Sequence, residues 1–180
     1  MTTALNYADL MALSPLLMVL FGALVVLLLE SFVSSPLSKK LTYFATLLTL
    51  GAAVAFSFVQ GATENPSLTS WIRFDSLANF FTLFFLTIGI ACTLLAHSFF
   101  KHFETTVGEF YFLLLSAVFG LLLIGISADF LILFIGLETL SISLYILCGY
   151  IKRWKISYEA ALKYFFIGAL GTAFLLYGIA

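Results

Sequence analysis

Long apolar runs separated by short polar clusters make up almost the whole chain. Runs near Leu13–Phe32, Leu41–Gln60, Ser76–Ser98, Glu109–Ile126, Phe130–Tyr150 and Tyr158–Ile179 each approach the roughly 20 residues needed to cross a bilayer as a helix. The fourth and fifth runs must be separate helices. One helix from Glu109 to Tyr150 would be about 60 Å long, roughly twice the hydrocarbon thickness. Ser127-Ala128-Asp129 is the polar break between them, which predicts a tight turn with Asp129 as the N-cap of the fifth span. Asp75 and Ser157 precede the third and sixth spans as further start signals. Thr106-Val107-Gly108-Glu109 has capping-box spacing ahead of the fourth, so Glu109 reads as part of a satisfied helix terminus. The first run has no Lys or Arg before it, carries Asp9 and is too long for the core of a cleavable signal, so it reads as a retained span.

Composition narrows the class. Sixty-three per cent of the 180 residues are hydrophobic and 9% are charged, with a mean hydropathy of +1.16. A soluble domain carries about 25% charge, so there is too little polar surface here to coat a globule. A soluble enzyme, a nucleic-acid binder and a disordered chain are excluded. The expected fold is an all-α polytopic membrane protein with six transmembrane helices, embedded in a lipid bilayer. Cys92 and Cys148 lie within apolar runs and read as small buried hydrophobes, not as a disulfide or a metal pair.

The charges are few, and their placement sets an orientation. Lys39 and Lys40, Lys101, and Lys152, Arg153 and Lys155 follow the first, third and fifth spans. Arg73 is the one basic residue in a loop on the opposite side. By the positive-inside rule the 34–40, 99–108 and 151–157 loops are cytoplasmic and the N-terminus faces out. Trp154, Tyr150 and Tyr158 accompany the last basic group, as an aromatic belt requires. His97 and His102 border one of these loops and read as solvated.

Ionisable groups at membrane depth cost a few kcal/mol and mark function by default. Glu30 lies in the last turns of the first span, where it reaches the headgroups, and reads as interfacial. Glu138 lies about nine residues into the fifth span, roughly 13 Å from one end and 18 Å from the other, too deep to snorkel. Ser141 and Tyr145 share its helical face, a narrow polar stripe that must face protein or water. A protonated, hydrogen-bonded structural glutamate and a titrating proton carrier both fit that placement; desolvation of a carboxyl favours the carrier. Lys163, about six residues into the sixth span, stands four residues after Glu159 in the favourable order for an ion pair. It reads equally as an interfacial anchor or as a member of a buried relay. Straight helices offset it from Glu138 by about 9 Å along the membrane normal. Gly168 and Thr172 have the spacing that lets helices approach closely. The sequence has no phosphate loop, metal-ligand cluster, nucleophile paired with histidine, or haem ligand pair.

The stretch from about Glu109 to Ile179 resembles the antiporter-like membrane subunits of respiratory complex I. The resemblance is carried by the GLE motif at Gly136-Leu137-Glu138, the SLYIL run at Ser143–Leu147 and the EAALKYF run at Glu159–Phe165. It covers about 40% of the chain; the first three spans match more loosely. It implies three N-terminal helices over 1–108, and over 109–180 the start of a proton-translocating domain, truncated after the first three helices of an inverted five-helix repeat. It further implies a multi-pass protein of the bacterial inner (plasma) membrane that takes part in proton translocation coupled to electron transfer from NADH to quinone. Glu138 and Lys163 fall on the family's fifth-span glutamate and sixth-span lysine, its proton relay. NAD, flavin, iron–sulfur clusters and quinone are then expected in partner subunits and not in this chain. The implied partners are the other membrane subunits of complex I and the C-terminal helices that a full-length member carries. A cation/proton antiporter subunit uses the same helices, and a truncated fragment without activity is the third reading.

Overall fold

The computed structural model describes residues 7–33, 35–60, 70–100 and 107–180. Among these residues it is all-helical: α1 (Tyr7–Ala12), α2 (Ser14–Phe32), α3 (Ser35–Gln60), α4 (Ser76–Phe100), α5 (Gly108–Ile126), α6 (Phe130–Cys148) and α7 (Lys155–Ile179). Six of them, α2 to α7, are long and apolar enough to span a bilayer. The six expected spans are all present, and their ends differ where polar residues continue a helix beyond its apolar run. α3 starts at Ser35, not Leu41, and α7 at Lys155, not Tyr158, so Lys39 and Lys40 lie in the second turn of α3 and Lys155 in the first turn of α7 rather than in loops. Lysine is a good helix former, and the proline at position 36 is compatible with a first turn. α4 continues to Phe100, and α6 stops at Cys148 rather than Tyr150. The short α1 is an addition to the expected elements. Lys101 and His102 lie outside the described residues.

Helix α5 is the axle of the bundle, packed against α2, α3, α4 and α6. Tyr111, Leu115, Val118 and Leu122 are buried along it at three- and four-residue steps. α4 meets this core with a stripe of mostly small residues, Ala78, Thr82, Leu86, Gly89, Thr93 and Ala96. Lipid offers no hydrophobic drive between helices, so close packing of small residues holds them together. Gly22 on α2 shows how close this packing is, because a Cβ there would overlap the Thr49 side chain of α3. The hydroxyls of Thr42, Thr46, Thr49 and Ser57 on α3 each donate to the carbonyl four residues back at 2.7–2.9 Å. They are therefore satisfied without water.

The turn between α5 and α6 forms as its residues predict. Asp129 accepts a hydrogen bond from the Leu131 amide at 3.1 Å and caps α6. Asp75 likewise caps α4 through the Ala78 amide at 2.8 Å. The segment before α4 is stitched to this turn, with the Arg73 amide donating to Ile126 O (2.8 Å) and the Ala128 amide to Trp71 O (2.9 Å). Two expected caps are corrected. Ser157 lies inside the first turn of α7 and donates instead to Cys148 O at 2.6 Å, because the helix begins two residues earlier. Val107 occupies the cap position of α5 with no side-chain cap bond, and Thr106 lies outside the described residues. The cysteines are corrected too: both are free, but Cys92 is half-buried and Cys148 exposed, because their helix faces turn outward from the bundle.

Candidate proton-transfer site

The site is built on α6, which α5 holds by close backbone contact. Gly120 and Gly136 face one another there. A Cβ on Gly136 would stand 2.9 Å from Gly120 O, and a Cβ on Gly120 2.7 Å from the Leu140 amide nitrogen. With Gly136 and Leu140 turned to α5, the opposite face of α6 carries Glu138, Ser141 and Tyr145 towards α7. Glu138 stands about 12 Å from one end of α6 and about 15 Å from the other. Its Oε1 is buried and has no hydrogen-bond partner among the described residues. Most buried polar side-chain atoms are hydrogen-bonded, so this oxygen is an exception that asks for a proton, a water or a donor from outside the described chain.

The register of α6 against α7 follows from their contacts. A Cβ on Gly149 would lie 3.0 Å from the Cβ of Ala161, and Tyr145 packs edge-on against Tyr164 (centroids 4.8 Å apart) and Phe165 (5.8 Å). Counting back along antiparallel helices from Gly149 and Ala161, position 138 lies opposite Thr172, and position 147 opposite Lys163. Glu138 and Lys163 are therefore about 13 Å apart along the helices, more than the 9 Å that straight helices suggest. Ala161, Gly168, Thr172 and Leu175, half-buried, mark the face of α7 turned to α6. Lys163 is rotated about 200° from Ala161 and so points away. Its Nζ pairs with Glu159 Oε1 at 2.6 Å, and the two side chains are 70% and 65% exposed. The structure thus brings Lys163 to Glu159, the partner its spacing predicts, and not to Glu138.

Other candidate groups lie elsewhere. Glu30 accepts a hydrogen bond from the buried hydroxyl of Ser38, and its carboxylate lies against Gly108 at the start of α5. It is held among α2, α3 and α5, a tertiary setting that its position near a span end did not reveal. His97 is exposed and stacks on Tyr43 at 4.0 Å. Glu109 is exposed in the first turn of α5, where a negative charge suits the helix dipole. A cavity of about 30 Å³ lies among α2 to α5, with Ser57, Asn79 and Thr82 as its polar lining. Neither Glu138 nor Lys163 opens onto it. Among the described residues no three His, Cys, Asp or Glu side chains converge as metal ligands.

Residues 127–180 match the family model described as NADH:quinone oxidoreductase/Mrp antiporter, TM, which takes in α6 and α7 and the site between them. NADH-quinone oxidoreductase subunit N of Protochlamydia amoebophila is 51% identical over 184 residues, covering 100% of this chain and 38% of its own length. The chain belongs to the subunit N family. The subunit N of Chloroflexus aggregans is 36% identical over 96% of this chain and 35% of its own. A structure of respiratory complex I from Thermus thermophilus with bound aureothin contains a chain similar to this one at a TM-score of 0.73 and 29% identity, covering 91% of this chain and 35% of that one. The chain spans a little over a third of the length of these subunit N relatives and aligns with their N-terminal part.

Proposed function

We propose that this chain forms the N-terminal part of a proton-translocating membrane subunit of NADH:quinone oxidoreductase, with Glu138 as the group that takes up and releases the proton. The single observation that supports this most is the buried, unpartnered Oε1 of Glu138 at mid-span. A carboxyl group kept for structure alone uses its oxygens in hydrogen bonds, since an unmet one costs about 1–3 kcal/mol. An open acceptor in the middle of a membrane instead suits a group whose proton comes and goes.

Lys163 acts in this reading as a charge and not as a contact. Its pair with Glu159 occupies the face of α7 turned away from α6, which the described helices leave uncovered and which further helices of a full-length subunit would enclose. Enclosed there, a change in the pair's charge is felt at Glu138 through a low-dielectric medium. Water or other groups carry the proton over the remaining distance. Electron transfer from NADH to quinone, with its flavin and iron–sulfur chemistry, takes place in partner subunits of complex I and supplies the driving force. On this reading the end of the bundle with Lys39, Lys40, Lys152, Arg153 and Lys155 faces the cytoplasm, as the positive-inside rule favours, and the membrane is the plasma membrane.

The test is made in the assembled, full-length complex. Glu138→Gln keeps the shape of the side chain and cannot ionise, so it cuts proton pumping and coupled quinone reduction while assembly persists. Glu138→Asp retains part of the activity. Lys163→Ala impairs pumping more than Lys163→Arg, which keeps the charge. Wild-type pumping by an assembled Glu138→Gln complex would make the carboxyl structural and end this reading.

A further inference from the structure

The face of α6 that carries Glu138 also carries Tyr145, two turns further on, and the tyrosine's surroundings are specific. Tyr145 is 9% exposed. Long side chains on a helix lean towards its N-terminus, so the ring leans along α6 towards Glu138. Its hydroxyl end lies over Gly168 of α7. A Cβ on that glycine would overlap Tyr145 Oη and stand 2.5 Å from Cζ and 2.9 Å from Cε1. In the α6–α7 register Gly168 lies opposite position 142. The hydroxyl therefore stands about one turn nearer to Glu138 than its own Cα does, but the Glu138 side chain leans the same way, leaving about 9 Å along the axis between the two oxygens. A file of two or three water molecules spans such a gap. Thr172 lies opposite Glu138, and its Oγ1, which donates to Ala169 O at 3.1 Å, keeps lone pairs to accept from water.

We infer that Tyr145 is a further member of the proton path, its hydroxyl joined to the unpartnered Oε1 of Glu138 by water held at the Gly168–Thr172 notch of α7. This rests on the proposed role of Glu138. A proton that bonds to the Tyr145 oxygen releases the hydroxyl's own proton to the first bridging water, each water passes one to the next, and the last gives one to Glu138 Oε1. Each O–H bond formed is matched by one broken, and the tyrosine ends the step unchanged. Glycine at 168 is what admits the hydroxyl, since any larger side chain fills the place where it sits.

The test uses the assembled, full-length complex in proteoliposomes. Tyr145→Phe keeps the ring and its contacts with Tyr164 and Phe165, so assembly persists. NADH-driven pumping is expected to fall several-fold and its solvent deuterium isotope effect to rise, because proton delivery has become slow. Gly168→Ala, which displaces the hydroxyl from the notch, is expected to move both in the same direction. A native rate and isotope effect in Tyr145→Phe would overturn the inference. So would a lower rate with an unchanged isotope effect, which is the result of a ring that only packs. A slow Glu138→Gln beside a native Tyr145→Phe removes this inference alone, whereas wild-type pumping by Glu138→Gln removes the broader reading and this inference with it.

Discussion

Adding one methyl group at Gly120 tests how α5 positions the helix that carries Glu138. A Cβ there meets Leu140 N at 2.7 Å and Gly136 O at 2.8 Å, and both atoms are backbone of α6. Neither can rotate aside, so the helices must separate by about 0.7 Å to restore ordinary contact. Overpacking of this kind costs about 1–3 kcal/mol. A rigid backbone on both sides puts Gly120→Ala in the upper half of that range. The higher helix propensity of alanine returns up to about 1 kcal/mol, leaving a net loss of about 1–2 kcal/mol. Gly51 is the internal control, because a Cβ there has nothing within 4 Å. Gly51→Ala should be neutral or gain up to about 1 kcal/mol. Equilibrium unfolding in mixed detergent micelles, followed by helical circular dichroism, measures both variants against the parent chain. The two should differ by about 2–3 kcal/mol, the overpacking cost alone, because the propensity gain is common to both. Equal stabilities would refute the backbone contact between α5 and α6, and with it the orientation of Glu138 towards α7.

Two further outcomes follow from the same structure. Asp129→Ala removes the acceptor for the Leu131 amide and should cost about 1 kcal/mol in the same unfolding assay, with Asp129→Asn recovering most of it. A single cysteine placed at Lys152, in a background with Cys92 and Cys148 replaced by serine, should resist a membrane-impermeant thiol reagent in intact cells and react after permeabilisation; reaction in intact cells would reverse the proposed orientation.

The spans were legible because a bilayer sets a length, and the apolar runs meet it. Their ends were less so, since hydropathy reports what lipid accepts while a helix continues through any residue with the right backbone. Lys39, Lys40 and Lys155 are polar and yet helical for that reason. Asp75 and Asp129 were read correctly as caps because the signal is local, a short acceptor beside free amides. Ser157 was misread because its position relative to the first turn depends on where α7 begins. The depth of Glu138 and the Glu159–Lys163 pair also follow from position along one helix. The faces that meet across α6 and α7 do not. Tyr145 over Gly168 and Gly149 beside Ala161 set that register, and pairwise packing of this kind leaves no periodic trace in a single sequence. Gly168 and Thr172 signalled a close approach through their spacing, but not that a tyrosine hydroxyl makes it.

The central claim is that Glu138 changes its protonation during turnover. Redox-induced infrared difference spectroscopy of the assembled, full-length complex, recorded in water and in deuterium oxide, reads this directly. A carboxyl C=O band that appears or disappears on reduction, shifts in deuterium oxide and is missing in Glu138→Gln is the predicted result. A carboxyl region identical in the native complex and the Glu138→Gln variant would contradict it.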